Sequence, residues 1–149
     1  MKVKQALIIY AFLTGNNERI ANEIARQLKN NMIETSLLEA DEVSLSQIQN
    51  NDILIVCIYT YDFGCLPYEV EKLYNEFDNI DLDSKIVGVC GSGDLFYEDF
   101  FCKAVDLFEV KMRDQGALIA SESLKIHLAP NRNDFERVAN FTKEIISQL

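Results

Sequence analysis

Residues Lys4–Leu28, KQALIIYAFLTGNNERIANEIARQL, decide the fold class. Ala6-Leu7-Ile8-Ile9-Tyr10 is an unbroken apolar run, the pattern of a strand in a parallel sheet covered on both faces. Further on, Ile20, Ala21, Ile24, Ala25 and Leu28 recur at helical spacing, leaving Glu18, Arg19, Glu23 and Arg26 for the opposite side. The loop between them, Thr14-Gly15-Asn16-Asn17, precedes a helix start, where unpaired backbone N–H groups and the positive end of the dipole point to one place. That arrangement suits a phosphate, while Thr, Gly and Asn serve equally as plain helix caps. The glycines of a GxGxxG or Walker loop are absent.

Working outward, the same alternation continues. Strands are expected at residues 33–39, 53–59 (ILIVCIY, apolar throughout and therefore central), 85–90 and 117–128, the last without an inserted loop. Between them the spacing predicts a short or irregular helix within 41–49 and a helix opened by Pro67 with the stripe Val70, Leu73, Tyr74, Phe77. A long helix from Phe96 to Gln115 and a last one from about Asn133 to the end complete the pattern. Five strands alternating with helices mean an α/β, right-handed, doubly wound parallel sheet in one domain over residues 1–149. Ligands of such sheets sit beyond the carboxyl ends of the strands, at the switch point.

Composition narrows the classes of function. A chain of 149 residues, 48% of them hydrophobic, is long enough for a two-faced core. Carboxylates outnumber Lys and Arg 24 to 14, a net charge of −10 that argues against nucleic acid and anionic membranes and favours basic partners. The N-terminal apolar run is too short for a signal peptide or a spanning helix, so a cytoplasmic location is expected; a monomer is expected as well. Cys57, Cys65, Cys90 and Cys102 show no CxxC spacing and have one histidine for company, so they read as reduced thiols without zinc. That histidine, His127, reads as a surface residue without a role.

Three loops fall at the expected ligand edge. The first offers backbone N–H groups, the Thr14 hydroxyl and the Asn16 and Asn17 amides. The second, Thr60-Tyr61-Asp62-Phe63-Gly64-Cys65, and the third, Cys90-Gly91-Ser92-Gly93-Asp94, bring Tyr61 and Tyr97 to one edge, where the pair suits a flat heterocycle.

IIYAFLTGNNERIA, YTYDFGCLP, VCGSGDLFYEDFFCKAVDLFE and LKIHLAP, in this order, resemble the flavodoxins, and the uninterrupted fifth strand resembles their short-chain branch. The resemblance implies a five-stranded sheet ordered 2-1-3-4-5 with helices on both faces, and an FMN cofactor. It implies that Phe12, Leu13, Thr14, Gly15, Asn16 and Asn17 wrap the FMN phosphate. Tyr59, Thr60, Tyr61, Asp62, Phe63 and Gly64 would line one side of the isoalloxazine. Cys90, Gly91, Ser92, Gly93 and Asp94 would line the pyrimidine side, with Tyr97 stacked on the outer ring face. The implied function is a low-potential one-electron carrier between a reductase and acceptor enzymes with basic docking surfaces, without turnover of its own. There are three departures from the family, at four positions: Phe12 and Asn17 stand where a Ser or Thr hydroxyl is usual, Asp62 stands for Gly, and Tyr61 for Trp. The first departure motivates an alternative, a flavodoxin-like interaction module that has lost FMN. Direct NAD(P)H oxidation would need a nicotinamide pocket that so short a chain does not offer. A receiver domain would need carboxylates where Tyr10, Ala11 and Phe12 stand.

Overall fold

The computed structural model describes residues 3–11, 15–60 and 63–149. Its parallel strands are β1 (Gln5–Tyr10), β2 (Glu34–Glu39), β3 (Ile53–Cys57), β4 (Ile86–Gly93), β5 (Leu118–Ile119) and β6 (Leu124–His127). They form one sheet in the order β2-β1-β3-β4-β5, with β6 also paired to β4, so that β5 and β6 share the fifth place. Helices α1 (Asn16–Asn30), α2 (Leu45–Gln49), α3 (Tyr68–Glu76), α4 (Lys103–Asp114) and α5 (Arg132–Ser147) surround it. Among the described residues no helix is long and apolar enough to cross a membrane.

The alternation of side chains along each strand divides the core in two. Ala6, Ile8, Ile53, Ile55, Cys57, Cys90, Leu124 and Ile126 face one side, where Ile20, Ile24 and Leu28 of α1 and Val138, Phe141 and Ile145 of α5 cover them. Leu7, Ile9, Leu54, Val56, Ile58, Val87 and Val89 face the other, under Val70 and Leu73 of α3 and Val105, Phe108 and Met112 of α4. The apolar stripe read from the sequence of α1 is the stripe that is buried. Gly88 lets α5 lie close to β4, since a Cβ there would come within 2.7 Å of Ile145 Cδ1.

Three expectations are corrected. The fifth strand is not continuous: after Ala120, whose N–H still donates to the Val87 carbonyl, residues 121–123 leave the ladder, and pairing resumes at Cys90 with Leu124. Because the register slips by two residues, every side chain keeps its face, which is why the sequence pattern does not betray the break. The glycines after Cys90 belong to β4, which runs to Gly93, and the loop begins only at Asp94. The long helix from Phe96 is two elements. Leu95–Phe100 is a 3-10 turn with Glu98 at φ 49°, ψ −112°, and α4 starts after Cys102, itself left-handed at φ 53°. The break lets Phe101 and Cys102 pack against Gly93, whose added Cβ would lie 2.9 Å from Cys102 Sγ. Phe96 and Phe100 stay exposed.

All four cysteines are free. Cys57 and Cys90, direct neighbours on β3 and β4, share a buried thiol hydrogen bond of 2.8 Å between sulfurs. Burial pushes the Cys90 thiol upward, with Cys57 adding to the shift, and pushes Cys102 up to about 12. Cys65 is exposed. In the native protein one thiol, Cys65, is therefore expected to react rapidly with Ellman's reagent at pH 8, and all four after unfolding in guanidinium. A second fast native thiol would contradict this packing.

Candidate functional site

The carboxyl ends of β1, β3, β4 and β6 meet at one edge, and the residues singled out in the sequence gather there. At the β1 end, Phe12, Leu13 and Thr14 lie outside the described residues. Gly15 adopts φ 89° and forms the N-cap of α1, with no side chain to offer the first-turn N–H groups. α2 is closed by a Ser44–Gln47 capping box and α5 by an Asn131–Asp134 capping box, whereas α1, like α3 and α4, has no side-chain bond from its own N-cap residue. A 15-residue helix beginning without such a cap leaves donors and dipole for a ligand.

Asn17 does something the sequence does not suggest. Its side chain is buried, its Nδ2 donates to the Ala11 carbonyl at 3.3 Å, and its Oδ1 accepts from Ser92 N at 3.0 Å and Ser92 Oγ at 3.1 Å. It braces the exit of β1 and the start of α1 against the end of β4.

At the β3 end, Tyr61 and Asp62 lie outside the described residues. The Tyr59 hydroxyl donates to Glu69 Oε1 at 2.5 Å, fixing the first turn of α3. Thr60 Oγ1 accepts from Ala104 N at 2.9 Å and so caps the first turn of α4. Gly64 takes φ 95°, and Phe63 is exposed.

At the β4 end, Gly91 and Ser92 are buried and Cys90 turns inward to the α1 and α5 side. A Cβ on Gly91 would come 1.8 Å from the Ile58 carbonyl oxygen, so β3 and β4 approach in a way only glycine allows. Asp94 accepts from Phe96 N at 2.9 Å, opening the turn that carries Tyr97. Phe63 meets Tyr97 edge-on at 5.0 Å between centroids, and Phe96 meets Tyr97 at 5.3 Å. With Glu98, Asp99 and Phe100 these rings line a cleft of about 340 Å³. Phe63 and Tyr97 are at ordinary pair-contact distance, so no third ring fits between them. A larger groove of about 690 Å³ runs between Ala40–Val43 and α3, off this cleft.

The edge is acidic. Glu39, Asp41 and Glu42 bring carboxylate oxygens within 4.8 Å of one another. Burial, followed by Glu18, Glu39 and Glu42, raises the Tyr10 hydroxyl above its ordinary value. Backbone strain also concentrates here: Glu98, Cys102 and Leu128 are three of the five non-glycine residues with positive φ among the described residues. Sequence reading missed His127. It lies opposite Gly93 at the end of β6, and its Nδ1 accepts from Leu95 N at 3.1 Å. The one available signal was its position at the carboxyl end of a strand flanking the third loop.

Comparison with known proteins agrees with this geometry. The family model for flavodoxin matches residues 8–141. The probable flavodoxin 1 of Bacillus subtilis strain 168 is 36% identical over 130 residues, 87% of this chain and 82% of that protein. Among solved structures, a short-chain flavodoxin associated with a non-canonical PDU bacterial microcompartment superposes with a TM-score of 0.95 at 36% identity, over 98% of this chain and 99% of that one. A Fusobacterium nucleatum flavodoxin mutant bound to flavin mononucleotide shares the fold, with a TM-score of 0.79 at 20% identity over 99% of this chain and 98% of that one. Sheet order, the open start of α1, the aromatic cleft at the same edge and these matches lead to one conclusion: the chain belongs to the flavodoxin family.

Proposed function

We propose that this chain, one domain over residues 1–149 acting as a cytoplasmic monomer, carries single electrons at low potential from a reductase to acceptor enzymes by means of one bound FMN. The observation that carries the reading is the meeting, at one sheet edge, of an uncapped helix start and an aromatic-walled cleft. These residues fit the cofactor's two ends, since a phosphate matches the α1 donors and a planar ring matches the faces of Tyr97 and its neighbours. The flavin mononucleotide of the structurally similar Fusobacterium protein supports the same choice. When bound, FMN supplies the one-electron chemistry.

The protein's part is to hold, shape and bias. Backbone N–H groups of Gly15, Asn16 and Asn17, with residues 12–14, would receive the phosphate. Residues 59–64 would line one side of the ring, and Cys90, Gly91, Ser92, Gly93, Asp94 and Tyr97 the other. The Asn17 amide already serves Ala11 and Ser92, so it does not replace the hydroxyl usual in the family. A missing hydrogen bond to a charged group costs about 1.5–3 kcal/mol, so FMN binding is expected to be about tenfold or more weaker than with that hydroxyl present. The carboxylates of Glu69, Asp94, Glu98 and Asp99 disfavour added negative charge in the cleft. Each contributes roughly 0.4–1.7 kcal/mol at about 10 Å, which lowers the potential. The same field favours basic docking surfaces on the reductase and on the acceptor, and makes their association salt-sensitive.

Titration of the apo protein with FMN, followed by flavin fluorescence and spectroelectrochemistry, tests the reading. Quenching at micromolar FMN or below and two separate one-electron steps are expected. A folded protein that leaves micromolar FMN fluorescent would instead favour the interaction module, in which Phe12 and the committed Asn17 have closed the phosphate site.

A further inference from the structure

We propose that His127 is a positioning residue of this site. By accepting the Leu95 N–H it pins the turn that carries Tyr97, and protonation of its imidazole releases the pin. The inference rests on the FMN reading for its effect on affinity, and on geometry alone for the pin itself.

Among the described residues, the segment after β4 is held to other elements by this hydrogen bond and by the edge contacts of Tyr97 and Phe100 with Phe63. Gly93 O accepts from Leu128 N at 2.8 Å, closing β4 against β6, and from there the chain leaves the sheet. Two side-chain acceptors receive the next free amides: Asp94 takes Phe96 N within the turn, and His127 takes Leu95 N from across the sheet edge. Of the two, only His127 connects the turn to another element. The turn is otherwise poor in packing, with Leu95, Phe96 and Phe100 exposed and Glu98 held at φ 49°. A strained, solvent-facing turn that, among the described residues, has one hydrogen bond to another element depends on that bond more than on the edge contacts of Tyr97 and Phe100 with Phe63.

The acceptor must be a lone pair, so Nδ1 is unprotonated and the proton of the neutral ring sits on Nε2. A second proton converts Nδ1 from acceptor to donor facing an N–H, and the contact becomes repulsive. The sign follows: the pin is present above the range in which imidazole charges and is lost below it. The ionisable groups of the surrounding elements are Asp94, Glu98 and Asp99 on the pinned segment and Lys125 on β6, paired with Asp106 of α4. Tyr97 also lies on the pinned segment, and α5 carries Arg132, Glu136 and the pair Arg137 and Asp134.

The test uses the full chain as wild type, His127→Asn and His127→Ala. Asparagine places a carbonyl oxygen near the Nδ1 position and does not titrate; alanine has no acceptor. Because the protein has one histidine, its ring protons can be followed without ambiguity by NMR. In the wild type the Leu95 amide signal is expected to move with the same midpoint as the His127 ring between pH 5 and 8. It should stay at its alkaline position in His127→Asn and lose that position in His127→Ala. At pH 8, FMN is expected to bind His127→Ala about fivefold more weakly than wild type, the worth of one hydrogen bond, and His127→Asn within about twofold. The FMN phosphate itself titrates, so affinities at pH 5 and 8 are compared between wild type and His127→Asn, and only the difference is assigned to His127.

A Leu95 amide that titrates equally in His127→Asn, or an alanine variant that binds FMN as tightly as wild type, overturns the proposal. If wild type binds no FMN, the flavin reading falls, and with it the effect on affinity. The amide titration then still decides the pin.

Discussion

Gly91→Ala is expected to cost at least about 3 kcal/mol of folding stability and to lower the melting temperature by about 6–12 °C, the largest effect of any single methyl group added to this sheet. The new Cβ would stand 1.8 Å from the carbonyl oxygen of Ile58 and 3.0 Å from both its carbonyl carbon and Val105 Cγ2. A backbone oxygen in a central strand has no rotamer to retreat into. Relief requires β3 and β4 to part, at the expense of the bond from Ile58 N to Cys90 O. Two other glycines calibrate the result. At Gly88 the nearest atoms are the tips of Ile145 and Phe141, which can shift, so alanine should cost less. At Gly116 there is space, and only the positive φ of 96° is strained, at about 1 kcal/mol. Urea unfolding of the three variants should rank them Gly91, Gly88, Gly116, and a Gly91→Ala protein melting within about 2 °C of wild type would disprove the close approach. Because Gly91 lies between Cys90 and Ser92 at the site edge, the variant should also bind FMN more weakly even where it remains folded.

That glycine was legible as part of a loop lining a ligand, and its close approach to the Ile58 carbonyl was not. Sequence pattern reports what a residue needs, and rarely which distant group supplies it. The unit from Gln5 to Asn30 and the apolar β3 could be read directly, because burial on two faces leaves a continuous apolar run and a helix on one face leaves a stripe. The break after Phe100 could not. Phe101, Val105, Phe108 and Met112 keep helical spacing across it, while the devices that impose it, Thr60 on Ala104 and His127 on Leu95, act from 44 and 32 residues away. The split fifth strand hid for a different reason: a slip of two preserves period-two alternation. For the site, the edge and its aromatic and glycine content were visible in the order of motifs, and the assignment of individual donors was not. An asparagine at a helix start reads as a cap or a ligand donor. Its use as a brace depends on a serine 75 residues later.

Replacement of that asparagine is expected to show how tightly the phosphate end and the ring end of the site are joined. Asn17→Ala removes one donor and one doubly used acceptor from a side chain that is 3% exposed, and strands the amide of Ser92, itself 5% exposed. Buried polar groups left unpaired cost about 1–3 kcal/mol each, and the Ser92 hydroxyl can partly recover by rotation, so a net loss of about 2–3 kcal/mol is expected in urea unfolding. Asn17→Asp separates the bonds: its carboxylate still accepts from Ser92 N and Oγ but gives nothing to the Ala11 carbonyl. The sharper measurement is a double-mutant cycle with Ser92→Ala. That change removes only the hydroxyl bond of 3.1 Å, so a coupling of about 0.5–1.5 kcal/mol with Asn17→Ala is expected, and additive effects would mean that the two side chains do not interact. The same brace fixes where β1 delivers its chain to the first loop and where β4 presents Gly91 and Gly93. Loss of Asn17 should therefore weaken FMN binding through both ends of the cofactor at once. A truncated flavin without its phosphate makes the two ends separable. If Asn17 acted only at the phosphate end, riboflavin would bind wild type and Asn17→Ala equally. Acting as a brace, its loss weakens riboflavin as well.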